Sequence, residues 1–292
     1  DLSGKWSFSI DRQDNGEKEK WFSHTLNDFI NLPGSMPEKL KGDEVTAKTQ
    51  WTGSLYDSSY YYNPYMEKYR KEGNIKFPFF LTPDKHYVGA AWYQKEVNIP
   101  ADWKGERILL FLERPHIETT VWVNGQKTGM QNSLCVPHQY DITRYVRPGK
   151  CTITIRVDNR IKEINVGPDS HSITDQTQGN WNGIVGRICL QTTPKTYFDD
   201  IQIYPEPEQK LARVKVVIKG TGTAKVKLSA ESFNTDKKHI VPAIQQEIKL
   251  NKGVTETEMV LPMGNDMLLW DEFHPALYKL KAEVTNGKKT EI

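Results

Sequence analysis

The stretch Thr120-Val121-Trp122-Val123-Asn124-Gly125 predicts a β-hairpin and indicates an all-β chain. Thr, Val and Trp favour strands, and Asn-Gly is the strongest short signal for a type I′ turn, because both central residues of that turn need a positive φ. Apolar and polar residues alternate with period two on both sides of this stretch. Trp6, Phe8 and Ile10 share one face of a first strand, and residues 151–157 alternate in the same way.

Helix signals are scarce. One segment has Asn63 in a position suited to an N-cap, Pro64 at the first helical position and Gly73 just past the expected end. It lies inside a long polar and aromatic insertion, residues 49–89, which we predict to be a loop rather than part of a core. Loops of this length are generally functional or disordered.

Charge and hydropathy exclude several classes of function. The chain has 292 residues, with 39 Lys+Arg against 37 Asp+Glu and therefore a net charge of +2. This balance excludes nucleic acid and an anionic membrane as main partners. The longest apolar run, Ile108–Leu112, is far shorter than the roughly 20 residues of a membrane-spanning helix. We therefore predict a protein that binds neither nucleic acid nor membrane.

Cysteine and histidine patterns give no sign of a metal or cofactor. The three cysteines are an odd number without a Cys-x-x-Cys spacing, and the seven histidines show no His-Glu-x-x-His spacing. We predict no disulfide framework, no metal and no cofactor. The chain begins with Asp1 rather than Met, which favours an exported protein, periplasmic or secreted.

The strand rhythm changes near residues 193–196, where Thr-Pro-Lys-Thr interrupts the pattern. Beyond this point short strands recur with brief turns over roughly 100 residues, as in an immunoglobulin-like sandwich. The region before it is too long for that fold and suits a jelly-roll sandwich. We predict a jelly-roll domain over residues 1–195 and an immunoglobulin-like β-sandwich over residues 196–292.

A series of short motifs resembles the family 2 glycoside hydrolases, the β-galactosidase and β-glucuronidase group. Each motif is weak alone, but their order is specific and the likeness spans nearly the whole chain. The motifs are Gly4-Lys5-Trp6-Ser7-Phe8, Ala91-Trp92-Tyr93-Gln94-Lys95, Val121-Trp122-Val123-Asn124-Gly125, Val157-Asp158-Asn159-Arg160, Asn180-Trp181-Asn182-Gly183-Ile184 and the closing Leu269-Trp270-Asp271-Glu272-Phe273-His274-Pro275-Ala276-Leu277-Tyr278.

The resemblance implies a sugar-binding jelly-roll domain and an immunoglobulin-like domain, which in the family precede a catalytic (β/α)8 barrel. Family members are retaining glycosidases that need two carboxyl groups about 5–5.5 Å apart. Their acid/base is a Glu in an Asn-Glu pair, but no Asn in this chain is followed by Glu. We therefore predict an N-terminal accessory part without catalytic residues of its own. Its partners would be a missing C-terminal barrel of the same polypeptide and the glycoside substrate, with homo-oligomerisation left open.

The same resemblance implies where the substrate rim lies. In relatives the sugar-binding domain lends a loop to the active site, and the matching segment here is 175–181. Asp175, Gln178, Asn180 and Trp181 are the candidates for substrate contact on this loop. β-Galactosidases carry an Asp where this chain has Gly179, so the likeness does not extend to that galactose contact. A loop that binds its own backbone is the alternative interpretation.

The tyrosine-rich insertion is the second candidate for the rim. Resemblance places a substrate-side loop before the strand of Trp92, and residues 51–80 contain Tyr56, Tyr60, Tyr61, Tyr62 and Tyr65. Tyr61 and Tyr62 are therefore rim candidates, although we favour packing against the missing barrel as the main use of this segment.

Two further interpretations stay open at this point. Glu113 and Glu118 flank Pro115-His116 and resemble a catalytic pair, but we expect both to be exposed on or beside a strand. A free-standing carbohydrate-binding module, or an adhesin-like β protein without a catalytic partner, is the alternative to a glycosidase accessory region.

Overall fold

The computed structural model describes residues 1–52, 58–77, 81–162, 167, 170–171, 174–175, 179–287 and 289–292. Strands dominate these residues, and the helices are short. The strands are β1 (Gly4–Asp11), β2 (Asp28–Leu32), β3 (Gly34–Ser35), β4 (Asp43–Glu44), β5 (Lys85–His86), β6 (Ala90–Ile99), β7 (Arg107–Pro115), β8 (Glu118–Val123), β9 (Gln126–Asn132), β10 (His138–Asp141), β11 (Gly149–Asp158), β12 (Gly183–Thr193), β13 (Tyr197–Glu206), β14 (Leu211–Phe233), β15 (Ile240–Pro262), β16 (Leu277–Asn286) and β17 (Lys289–Glu291). The helical turns are α1 (Ser59–Tyr62) and 3₁₀ turns at Trp21–Ser23, Pro64–Tyr69, Ala101–Trp103, Thr143–Tyr145 and Pro207–Gln209. The prediction of an all-β chain is confirmed.

The chain divides into two compact units, Asp1–Gln191 and Thr192–Ile292. In the first unit, one sheet has the strand order β2-β1-β6-β11-β8-β9 and another the order β10-β7-β12-β3. Side chains from both sheets meet in one core, to which Phe8 and Tyr93 contribute from the first sheet and Leu110 and Ile188 from the second. Burying an aliphatic or aromatic side chain of this size is worth about 1.5–3 kcal/mol.

The larger sheet of the first unit is also covered on its outer face. Trp92 and Trp122 point away from the main core and pack at 5.0 Å between ring centroids, and Phe22 stacks on Trp122 at 5.2 Å. The indole nitrogen of Trp92 donates to the Asp11 carboxylate at 2.9 Å. Because Ala91 and Tyr93 face the main core and Trp92 faces the outer cluster, β6 is buried on both sides.

The predicted hairpin is confirmed. Asn124 and Gly125 have φ angles of 50° and 76°, as a type I′ turn requires, and Val123 pairs with Gln126 across the turn. Pro100 directly follows the last residue of β6, Ile99, as expected for a residue without a backbone N–H to donate to the sheet.

The insertion differs from the structureless loop that we expected. The Asn63 side chain accepts a hydrogen bond from the Tyr65 backbone N–H at 3.0 Å, so the cap is confirmed. The helix that it caps is a 3₁₀ turn that ends at Tyr69, and α1 precedes it. Tyr60 and Phe77 form a small buried core, because packing the two rings against each other removes apolar surface from water.

The second unit is built around the long strand β14. It pairs with β13 and with β16 in one sheet, and β15 pairs with β14 along most of its length. Val214, Val216 and Ile218 alternate inward before the register shift at Gly220–Gly222, and Val226 and Leu228 do so after it. Among the described residues of both units, the helices are too short and too polar to cross a bilayer.

Candidate functional site

Asn182 fixes the segment that directly follows the rim loop. The Asn182 side chain donates to the carbonyl oxygens of Gly89 and Val157 at 2.9 and 3.0 Å and accepts from the Tyr93 hydroxyl at 2.7 Å. Next to it, Gly183 has a φ of 143°, and a Cβ there would lie 2.5 Å from a backbone oxygen of Gly34. This close approach requires glycine at position 183 and fixes the start of β12 against the backbone of Gly34.

The insertion and the rim loop are joined through Thr52. The Asp175 carboxylate accepts from the backbone N–H groups of Thr52 at 2.5 Å and Asn180 at 2.7 Å. The Asp175 N–H donates back to the Thr52 carbonyl at 3.0 Å, and the Asn180 amide donates to the Thr52 hydroxyl at 3.1 Å. We call these contacts among Thr52, Asp175 and Asn180 the Thr52 clasp.

Asn159 connects the clasp to the sandwich. Its amide donates to the Asn180 side-chain oxygen and to the Tyr87 carbonyl, both at 2.9 Å, and its oxygen accepts from the Gly89 N–H at 2.8 Å. Asn180 in turn donates to the Asn159 carbonyl at 3.1 Å. Both amide hydrogens of Asn180 are therefore engaged within the protein.

The rim candidates occupy three different situations. Asp175 and Asn180 are brought together but are buried, at 1% and 6% exposed, and bind the protein's own groups. This geometry favours the alternative interpretation, a loop that binds its own backbone, while substrate contact by these two residues stays a prediction. Gln178 lies outside the described residues. Tyr61 and Tyr62 lie on the surface of the insertion, 51% and 72% exposed.

Trp181 is half-buried and stacks on His116, with 4.5 Å between ring centroids and 18° between planes. His116 Nδ1 lies 2.7 Å from the Trp181 carbonyl, so that nitrogen carries the proton and donates. Burial lowers the pKa of His116 in spite of this hydrogen bond. The imidazole is accordingly held neutral and fixes the orientation of the Trp181 ring.

Burial also sets the charge of the groups around the clasp. It raises the pKa of Asp175, although two backbone N–H donors act in the opposite direction. Burial lowers the pKa of His86, whose ring lies 4.7 Å from that of Trp51. The described residues contain no group of three or more His, Cys, Asp or Glu placed to hold a metal ion.

Sequence reasoning missed an ion network at the end of β11. The fully buried Asp158 carboxylate binds Arg156 at 3.0 Å, Arg160 at 2.6 Å and Lys162 at 2.8 Å. Arg156 also reaches Asp14 at 2.6 Å and Glu118 at 3.2 Å. The one available signal was the strand alternation, which places Arg156 and Asp158 on the same face.

The expectation for the two glutamates is corrected in part. Glu113 and Glu118 do lie on strands, β7 and β8. The Glu118 side chain is only 12% exposed, however, because Arg156 and Lys162 cover and neutralise it. Glu113 binds Arg187 at 2.9 Å, and this partner lowers the pKa of Glu113. Each carboxylate is thus engaged in its own ion pair.

The second unit carries an open apolar groove of about 330 Å³. Leu269 and Trp270 border it and are 59% and 61% exposed, and Ile203 and Leu277 contribute further apolar surface. The Tyr278 hydroxyl accepts from the Leu268 N–H at 2.9 Å and so fixes the segment that presents Trp270. We call this surface the Trp270 groove.

Comparison with known proteins now identifies both units. The model of the glycosyl hydrolases family 2 sugar binding domain matches residues 1–194, and the model described as glycosyl hydrolases family 2 matches residues 196–292. The chain belongs to glycosyl hydrolase family 2. Its first unit is the family's sugar-binding jelly roll and its second is the family's immunoglobulin-like sandwich. The resemblance seen in the sequence motifs is confirmed.

Individual family 2 relatives are distant and longer. The chain is similar to human beta-glucuronidase, with 27% identity over 69% of this chain and 33% of the relative, and to beta-glucuronidase of Paenibacillus borealis, with 24% identity over 98% and 42%. A solved beta-glucuronidase of Ruminococcus gnavus shares the fold, with a TM-score of 0.61, 18% identity and coverage of 99% of this chain and 43% of that one. The chain thus spans about a third to two fifths of the length of these relatives.

Proposed function

We propose that this chain is the accessory region of a retaining family 2 glycosidase, which supports a catalytic (β/α)8 barrel of the same polypeptide and shapes its substrate cleft. The Trp270 groove carries this proposal. Exposed apolar surfaces of this kind on soluble proteins mark contacts with other protein surfaces. Leu269, Trp270 and Leu277 are more than 40% exposed around a preformed groove, and the family 2 relatives cited above are more than twice as long as this chain.

The Thr52 clasp supports the second half of the proposal. Loops that border an active site must hold one geometry, because small displacements of positioning groups reduce catalysis strongly. The clasp joins the insertion to the rim loop through a buried carboxylate and two backbone N–H groups. In this role Asp175 and Asn180 act as positioning residues that hold the segments on which Trp181 and the tyrosines are presented.

The substrate class is proposed from the activities for which the relatives are named. The relatives cited above are beta-glucuronidases, and a Thermoanaerobacter pseudethanolicus relative with 23% identity is a beta-galactosidase. We therefore propose a β-linked glycoside as the substrate. The chemistry itself requires two carboxyl groups facing one another, and Glu113 and Glu118 are each engaged in separate ion pairs.

The direct test is the gene beyond the codon for Ile292. We expect the reading frame to continue into a barrel that contains an Asn-Glu pair, and the protein expressed from it to hydrolyse chromogenic β-glycosides. The 292-residue chain purified by itself should leave these substrates intact. A stop codon directly after Ile292 would favour the free-standing carbohydrate-binding module instead, and hydrolysis by the purified chain would contradict the assignment of an accessory role.

The groove is tested by one pair of variants in the full-length enzyme. Trp270→Ala should lower thermal stability and activity together, because it removes apolar surface from the contact with the barrel. Phe273→Ala is the matched control, since Phe273 is 81% exposed on the same segment but does not line the groove. Equal behaviour of the two variants would show that the groove does not contact the barrel.

A further inference from the structure

We propose that His86 makes the attachment of the insertion acid-sensitive, because a proton taken up by its imidazole releases Trp51 and loosens the Thr52 clasp. The imidazole packs against the Trp51 ring, with 4.7 Å between ring centroids. Trp51 directly precedes Thr52, whose backbone N–H and carbonyl both bind Asp175. A titratable ring therefore lies next to the hydrogen bonds that hold the insertion to the rim loop. This device belongs to the chain itself and does not depend on the proposed accessory role.

Trp51 is the residue through which the small core of the insertion meets β5. Its ring also packs against Phe77 at 4.9 Å, and Phe77 stacks on the fully buried Tyr60 at 4.5 Å. On the other side of Trp51, His86 is held on β5, where it pairs with Asp43 of β4. Loss of the contact between His86 and Trp51 would therefore separate the insertion from β5 while its own core stays packed.

The surroundings of the His86 imidazole suit its neutral form. The residue is 7% exposed, and its Nε2 atom is buried without a hydrogen-bond partner among the described residues. Both ring nitrogens of an imidazolium carry a proton, so a proton at Nε2 would create a buried, charged donor without an acceptor. Such a donor is costly, and the cost is removed when the ring turns into water. A ring that turns outward leaves Trp51.

Two carboxylates lie close enough to act on the imidazole, and both favour its charged form. They are Asp43 on β4 and Asp175 in the clasp, whereas Trp51, the neighbour from the insertion, carries no charge. Arg12 pairs with Asp43 at 2.5 Å and offsets its charge. Burial outweighs both carboxylates and lowers the pKa of His86. The packed imidazole therefore binds a proton less readily than the released one does.

The direction of the pH effect follows from this difference. Because the pKa of His86 is lowered while the ring is packed, release is favoured as pH falls below the ordinary value of 6.5. The ratio of released to packed molecules rises by at most about tenfold per pH unit for one proton, and the rise stops at the lowered pKa. Asp175 acts in the opposite direction, since its pKa is raised in the closed clasp. Chains that differ only at position 86 isolate the contribution of the imidazole.

Hydrogen–deuterium exchange at the Thr52 amide measures the release, with each rate divided by the intrinsic rate at the same pH. Between about pH 7 and about pH 5.5 we expect protection in the natural chain to fall about three- to tenfold relative to His86→Phe. Phenylalanine keeps an aromatic ring against Trp51 but cannot take up a proton. His24→Phe is the matched control, because His24 is exposed, and it should follow the natural chain. An identical pH dependence in the natural chain and in His86→Phe would overturn the proposal.

A second measurement needs no substitution. Nuclear magnetic resonance of the natural chain follows the ring protons of His86 and the indole N–H of Trp51 as pH falls. We expect both signals to change with one apparent midpoint below 6.5, while the indole N–H of Trp122 in the outer cluster does not follow it. A His86 midpoint at or above 6.5, or a Trp51 signal that does not move with it, would contradict the proposal. These outcomes leave the tests of the accessory role untouched.

Discussion

Asp158 and Asp175 are both buried aspartates of the first unit, with 0% and 1% of their surface exposed. Their surroundings nevertheless shift the pKa of the two carboxyl groups in opposite directions. Asp158 lies among three cations, Arg156, Arg160 and Lys162. Asp175 receives its hydrogen bonds from the backbone N–H groups of Thr52 and Asn180. Burial alone therefore does not decide the charge of either carboxyl group.

The pKa values of the two groups move in opposite directions. Burial acts to raise the pKa of Asp158, but hydrogen bonds from Arg160 and Lys162 outweigh it and hold that pKa well below the ordinary value. At Asp175 burial prevails over two neutral donors, and the pKa is raised. Charged partners compensate the desolvation of a carboxylate, whereas a pair of backbone dipoles compensates it only in part.

The difference separates a structural cluster from a candidate functional one. The Asp158 network links the turn after β1, which carries Asp14, to β8 and β11 and so stabilises the sandwich. The Thr52 clasp links two segments that lie outside the sheets. Perturbed pKa values occur both at functional sites and in structural ion networks, and of these two clusters the Thr52 clasp is the one that joins the insertion to the rim loop.

The largest effect is expected from Asp158→Ala. The Arg156 side chain is only 9% exposed and would lose one of its carboxylate partners within a buried network. Breaking a buried pair in this way costs about 3 kcal/mol. Urea unfolding followed by tryptophan fluorescence measures this loss of stability in the first unit, because all of the 8 tryptophans except Trp270 lie there.

Glu17→Gln is the control for that measurement. It removes the pair between Glu17 and Lys127, whose side chains are 54% and 49% exposed, and should cost less than about 0.5 kcal/mol. If Asp158→Ala costs no more than this control, the network does not stabilise the sandwich.

A smaller effect is expected from Asp175→Asn. The amide places an NH₂ group where the carboxylate now accepts from Thr52 or Asn180, so one buried N–H loses its acceptor at a cost of about 1–3 kcal/mol. Hydrogen–deuterium exchange should accelerate at the amides of Thr52 and Asn180 in particular. Asp141→Asn, which alters an exposed carboxylate that accepts from the Thr143 N–H, should leave exchange at Thr52 unchanged. Unaltered exchange in Asp175→Asn would show that the clasp does not hold the insertion.

Features fixed by neighbouring residues were predictable from the sequence. Asn124-Gly125 specifies its turn through the φ angles of two adjacent residues, and the alternation in β1 and β11 specifies which side chains enter the core. Asn63 caps the following turn through a bond that spans two residues. Such local signals predicted the all-β class, whereas the family was predicted from the resemblance of the ordered motifs to family 2 glycoside hydrolases.

Features that join distant segments were not predictable in this way. Asp175 binds Thr52 across 123 positions, and Arg156 binds Asp14 across 142. No local pattern marks either partner, because the sandwich brings them together only after it has formed. For the same reason the sequence left open whether Asp175 and Asn180 contact the substrate or bind the loop's own backbone. The hydrogen bonds from the Asn180 N–H to Asp175 and from the Asn180 amide to the Asn159 carbonyl favour the second interpretation.

The smallest expected effect is on the pH dependence of the free energy of unfolding, to which Asp158 and Asp175 should contribute with opposite sign. Because the pKa of Asp158 is lowered on folding, its contribution is present above the unfolded value of 3.8 and is lost as pH falls below it. Because the pKa of Asp175 is raised, the folded state takes up a proton first, and its contribution grows as pH falls through the folded pKa toward 3.8. Neither slope can exceed about 1.4 kcal/mol per pH unit for a single proton.

Urea unfolding between about pH 7 and about pH 3 measures both slopes, as the difference in unfolding free energy between the natural chain and each variant. That difference should shrink in acid for Asp158→Ala and grow for Asp175→Asn, and the same series in a His86→Gln background removes the nearby imidazole from the comparison. Slopes of the same sign would mean that the two carboxyl groups share one electrostatic environment, and the distinction between the network and the clasp would fail.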